Sequence, residues 1–183
     1  MKRARFTATR LALAGIGAAI SLGAVILSFY VSNLSLSLNI LAACGILLPL
    51  TKKYYREAVL AYVAVSALGG IFANIHVLSF VLIGGFYTIL AVALHNREPK
   101  LKWYVTYPVK IVYSCFVFFV VYYLTDILFV NFEALNISIE PAGLMYFVLN
   151  LIFTAAFLVY DALLLWGYRY AIPIVEKITR GKE

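Results

Sequence analysis

Two residues of opposite charge sit where charge is expensive. Lys110 follows Trp103 by seven positions, and Asp161 closes the segment Phe157-Leu158-Val159-Tyr160-Asp161; each lies inside a long apolar run. An ionisable group within a bilayer core is a functional candidate and calls for a partner. Lys110 is about 10 Å into its helix at 1.5 Å per residue. A helix running the opposite way brings Asp161 to the same depth, so an intramembrane charge pair is expected. It would serve as a brace of the helix bundle or as the working pair of a lipid-handling site. Otherwise Lys110 reaches the membrane surface along its own alkyl stem.

A second polar set is expected at the opposite, outer end: Asn74, His76, Tyr122, Asp126 and Asn150, with Asn33 and Asn39 flanking the first outer loop. Polar groups that converge at one end of an apolar bundle form a candidate substrate pocket. Side chains at a membrane interface are polar for that reason alone as well. Catalytic patterns are missing: there is no HExxH, GxSxG or P-loop, and Gly181-Lys182 is not one. An aspartyl dyad needs carboxylates about 3 Å apart, whereas Asp126 and Asp161 are expected near opposite membrane faces, as are His76 and His95. Cys44 and Cys115 form no CxxC and are expected to be small buried hydrophobes. The expectation is a protein that is not an enzyme, with no catalytic residue, no metal site and no cofactor.

The elements that must position these residues follow from composition. The 183 residues are 64% hydrophobic and 13% charged, with a mean hydropathy of +0.96. A soluble domain is roughly 45–50% apolar and about 25% charged, so the bilayer must be the solvent. A crossing needs about 20 apolar residues, and six segments approach that: roughly 11–31, 35–50, 57–74, 76–94, 104–130 and 143–168. Period-2 patterning is absent, which leaves helices. The first segment is too long for the apolar region of a signal peptide and reads as a retained helix.

Fourteen of the fifteen Lys and Arg residues fall in four blocks. These are Lys2 to Arg10, Lys52 to Arg56, Arg97 to Lys102 and Arg169 to Lys182; Lys110 alone stands outside them. Placing every block inside gives outer loops at 32–34, 74–76 and 131–142 and puts both termini in the cytoplasm. The expected architecture is therefore all-α, a single six-helix transmembrane domain over 1–183 with short basic tails, the last from Ile172 on, in the cell membrane. Aromatic anchors fit the boundaries: Tyr54 and Tyr55, Trp103, Tyr104 and Tyr107, and Trp166, Tyr168 and Tyr170. The net charge of +7 is loop charge that meets anionic membrane lipid, with no nucleic-acid partner expected.

The first helix is dense in small residues. Gly15, Ala19 and Gly23 recur every four positions, as do Ala14 and Ala18. Residues four apart share a helical face, and small side chains there let another helix approach closely. This face either packs within the bundle or docks onto a partner membrane protein.

The alanine pair Ala14-x-x-x-Ala18, with Gly15 and Ala19 beside it, and the six-helix organisation with both termini inside resemble the substrate-binding S component of energy-coupling factor vitamin transporters. The resemblance implies docking by the first helix onto a transmembrane T component driven by ATPases, and an outward pocket for a vitamin or similar molecule. The stretch Tyr62 to Tyr87 with Gly84-Gly85-Phe86-Tyr87, the run Trp103…Lys110 and the segment ending at Asp161 are also similar to small multi-pass membrane proteins of Gram-positive bacteria. That likeness singles out Lys110, Tyr160 and Asp161. The leading expectation is a substrate-binding subunit for small-molecule uptake energised by separate partners. The alternatives are an accessory or scaffold protein of a membrane complex, such as one for envelope assembly, and an intramembrane lipid-handling protein.

Overall fold

In an apolar solvent a single segment can satisfy its own N–H and C=O groups only as a helix, and every regular element among the described residues is helical. The computed structural model describes residues 2–31, 34–74, 77–97, 102–123 and 142–180. The helices are α1 (Lys2–Tyr30), α2 (Ser35–Thr51), α3 (Tyr55–Ala73), α4 (Val77–His95), α5 (Trp103–Tyr123) and α6 (Ala142–Arg180). All but α2 are long and apolar enough to cross a membrane. Their outer faces carry large apolar side chains: Ile71 is 75% exposed and Val112 69%. Such surfaces suit lipid, and the chain is a membrane-spanning protein.

Two boundaries differ from expectation. The basic ends are helical rather than tails: α1 already begins at Lys2, and α6 continues past Ile172 to Arg180 with Pro173 inside it. Pro173 removes one intrahelical donor, but Val175 is buried and the Thr179 hydroxyl donates to the carbonyls of Val175 (2.9 Å) and Glu176 (3.1 Å). α5 ends at Tyr123 among the described residues; 124–130 and the expected outer loops at 32–33, 75–76 and 131–141 lie outside them.

One compact unit comprises Met1–Asn96 with Leu164–Glu183. Its core contact is the crossing of α1 and α2. Ala14, Gly17, Ser21, Ala24, Val25 and Ser28 form the buried face of α1. A Cβ added at Gly17 would strike the Gly45 carbonyl oxygen, and one at Gly45 would strike the Ser21 hydroxyl. The Ser21 hydroxyl donates to the Ala42 carbonyl at 2.7 Å. α3 buries Ala58, Ala61, Val65, Gly69 and Ala73, again mostly small. A Cβ at Gly69 would meet Val77 at 2.8 Å and Val25 at 3.3 Å.

α4 widens into a π-helix over Phe80–Tyr87. The wider turns leave carbonyls poorly paired, and side chains take them up. Tyr62 donates to the Val81 carbonyl at 3.3 Å and Thr88 to that of Gly84 at 2.6 Å. Gly84 and Gly85 are buried, with Phe80 beside the first and the Tyr62 ring over the second.

α2 closes in a Schellman turn: the Lys53 N–H donates to the Leu50 carbonyl (2.9 Å) and the Tyr54 N–H to that of Pro49 (3.1 Å). Pro49 therefore lies within the helix instead of ending it. Lys53 holds a left-handed φ of 58°, where glycine is the usual residue and a side chain costs about 1 kcal/mol.

The other unit is Arg97–Leu163. It pairs α5 with the first part of α6 through large aromatics. Phe118 packs on Tyr146, Phe153 and Tyr122 at ring separations of 5.2, 5.5 and 5.8 Å. Cys44, expected to be buried, is exposed, and Cys115 is half-buried. In lipid an apolar side chain has no reason to prefer the interior.

Gly17→Val and Gly45→Val would each overpack the crossing by about 1–3 kcal/mol. We expect melting temperatures lower by about 2–12 °C for a chain of this size, read by thermal unfolding in detergent, while Gly15→Val leaves the melting temperature unchanged.

Candidate functional site

α5 and α6 each place one charged side chain in the same apolar interface. Lys110 and Asp161 are only 7% and 6% exposed, and the Lys110 ammonium donates to Asp161 Oδ2 at 2.5 Å. The expected pair is therefore formed. The ammonium also lies 5.9 Å from the centre of the Tyr107 ring, within range of a cation–π contact. An unpaired charge at such a site would be severely penalised, so each side chain is the condition for the other.

A polar seam extends from the pair. Ser114 is one turn beyond Lys110 on α5, and its hydroxyl donates to Thr154 Oγ1 at 3.2 Å. Thr154 donates to Asn150 Oδ1 at 3.4 Å, and Cys115 Sγ donates to the same oxygen at 3.5 Å. Ser114, Cys115 and Thr154 were not anticipated. Their signal was spacing: 110 and 114 share a face of α5, and 150, 154 and 161 share one of α6.

The remaining pocket candidates are distributed differently. Tyr122 is half-buried between Phe118 and Tyr146, with rings 5.8 and 5.0 Å away. Asn74 belongs to the unit containing α3; it is exposed and ends that helix at φ 51°. His76 and Asp126 lie outside the described residues. Asn150, expected to line the pocket, has its amide oxygen committed to the seam. No group of three metal-ligating side chains occurs among the described residues.

The small residues of α1 divide between two faces. Ala14 is buried at 8% exposure and Ala18 is half-buried, so these two turn toward the bundle. Gly15, Ala19 and Gly23 are exposed, and a Cβ added at either glycine would touch nothing within 4 Å.

A second cluster was missed by sequence reasoning. Tyr168, expected as an interfacial anchor, is 2% exposed. Asn96 Nδ2 donates to the hydroxyls of Tyr168 (2.7 Å) and Tyr55 (3.2 Å), and the Tyr168 hydroxyl donates to the Leu50 carbonyl (3.4 Å). Tyr168 ties α6 to α2, and Asn96, just past α4, joins it to Tyr55 of α3.

Comparison with protein families, with curated proteins and with solved structures finds no match. What these residues do must be read from their own geometry. Lys110 and Asp161 satisfy one another, which suits a brace between helices.

Lys110→Met would leave Asp161 buried and alone, at about 3–5 kcal/mol. We expect the melting temperature to fall by about 6–20 °C, with most of the loss restored in Lys110→Met/Asp161→Leu and in the charge exchange Lys110→Asp/Asp161→Lys. Double variants as unstable as the sum of the single ones would exclude the brace.

Proposed function

We propose that the protein is a membrane-embedded accessory subunit that works by binding another integral membrane protein through the Gly15–Ala19–Gly23 face of α1. The division of the small residues on α1 carries this reading. One face is consumed by the crossing with α2; the other is open. A helical glycine costs about 0.5–1 kcal/mol relative to alanine, and Gly15 and Gly23 recover none of it against the described residues. A partner helix laid against them would, because close backbone approach drives association in lipid. Gly70 and Gly167 are open too, but singly; among the described residues only α1 repeats open glycines two turns apart with an alanine between them.

In this reading six helices cross the cell membrane, α2 included, and both termini are cytoplasmic. The alternation of basic blocks supports that orientation. The protein would act as a scaffold of a membrane complex. The resemblance to S components supports a second reading, in which the partner is a T-component-like protein coupled to ATPases and the complex takes up a vitamin or similar molecule. Ala14 and Ala18 turning toward the bundle favour the scaffold, since the pair that carries the resemblance is not the open face.

A photoreactive residue placed at Ala19 in native membranes should yield a discrete protein adduct that is absent when it is placed at Ala14. Gly15→Leu/Gly23→Leu should abolish the adduct with unchanged melting temperature. Adducts to lipid alone would sink the docking reading, and a small molecule retained through purification, identified by mass spectrometry, would favour uptake over the scaffold.

A further inference from the structure

Contacts from α1, α6 and the residue after α4 gather at one turn, Thr51-Lys52-Lys53-Tyr54, and at the residues on either side of it. The Arg10 guanidinium of α1 stacks over the Tyr54 ring at 4.7 Å and lies 3.8 Å from Glu57. Tyr168 of α6 donates to the Leu50 carbonyl just before the turn, and Asn96, following α4, donates to Tyr55 just after it. Between these contacts Lys53 stands at the left-handed position of the Schellman turn, where glycine is easier. Topology counts the cations of a loop and does not place them. A lysine at the least comfortable position of this turn therefore has a fixed place that orientation alone does not ask for.

Arg10 stacks on Tyr54, and Lys52, Lys53 and Arg56 flank Tyr54 in sequence, with one carboxylate, Glu57, beside them. On the α3 face that continues from Arg56 come Leu60, Val63, Ala67 and Gly70, all exposed. A cationic head above an apolar lane matches an amphiphile. We propose that this end of the unit is a specific seat for an anionic phospholipid: the four cations hold the headgroup phosphate, Tyr54 forms its floor, and the acyl chain lies along Leu60 and Val63. In the proposed orientation the seat faces the cytoplasmic leaflet, where anionic lipid lies against basic segments.

Lys53→Gly separates this role from a structural one because it relieves the backbone while removing the charge. The purified protein is reconstituted in phosphatidylcholine bilayers with and without phosphatidylglycerol. In phosphatidylcholine alone, Lys53→Gly should raise the melting temperature by about 2–4 °C. Phosphatidylglycerol should stabilise the unaltered protein and stabilise Lys53→Gly less. Retained phosphatidylglycerol, counted by native mass spectrometry, should fall about five-fold for each cation removed, in Lys53→Gly and in Arg10→Gln. Lys102→Gln, in the other unit, should retain it fully. The proposal is overturned if Lys53→Gly gains equally in both bilayers, if Lys102→Gln loses as much lipid, or if inorganic phosphate at matched ionic strength gives the whole stabilisation.

Discussion

The crossing of Gly17 with Gly45 sets the spacing of everything around it in its unit. Lipid is as apolar as leucine, so no hydrophobic gain draws two transmembrane helices together; close contact and hydrogen bonds must do it. Two glycines let the α1 and α2 backbones meet, and Ser21 then reaches the Ala42 carbonyl. At that distance Val25 arrives at Gly69, and α3 needs small residues in turn. The short α2 becomes the centre, with Ala42, Ala43, Ile46, Leu47 and Leu50 all buried. Its opposite face stays open, with Leu41 and Cys44 exposed.

The unit of α5 and the first part of α6 solves the same problem with opposite materials. Large rings fill the space between the helices, and directional polar contacts fix their pairing. Phe118, Tyr146 and Phe153 supply dispersion; Lys110 with Asp161 and the Ser114–Thr154–Asn150 seam supply register. Rings alone would let the helices slide, since one aromatic surface resembles the next. A buried ion pair does not permit that, because one turn of slippage leaves two charges unpaired in an apolar medium.

Sequence patterns revealed the helices and the Lys110–Asp161 pair because both follow from the cost of polar groups in lipid, which is local and large. They were less informative about which face of α1 turns inward. Every-four spacing marked both Gly15, Ala19 and Gly23 and the pair Ala14 and Ala18, whereas the buried face steps through Ala14, Gly17, Ser21 and Ala24. Small residues on two faces make the choice depend on the neighbour, not on α1. Tyr168 was misread for a related reason: an aromatic near a basic residue looks like an interfacial anchor, and only the tertiary fold brings Asn96 and the Leu50 carbonyl to its hydroxyl. The π-helical turns of α4 left no period to detect, since a run as apolar as Phe80 to Tyr87 reads alike in any helical register.

Those wide turns have a consequence for how the chain tolerates change in length. On one side of them Ser79 contacts Asn39 at 3.3 Å; on the other Asn96 holds Tyr168 and Tyr55. Both ends of α4 are thus phased to fixed partners, and the segment between them makes up the angular difference. A π turn carries one residue more than the α turn it replaces, so losing or gaining a residue there changes the winding before it disturbs either end. Elsewhere in a transmembrane helix such an event rotates every residue beyond it. α4 therefore works as a phase adjuster: the extra winding between Phe80 and Tyr87 lets both of its ends meet their partners at once.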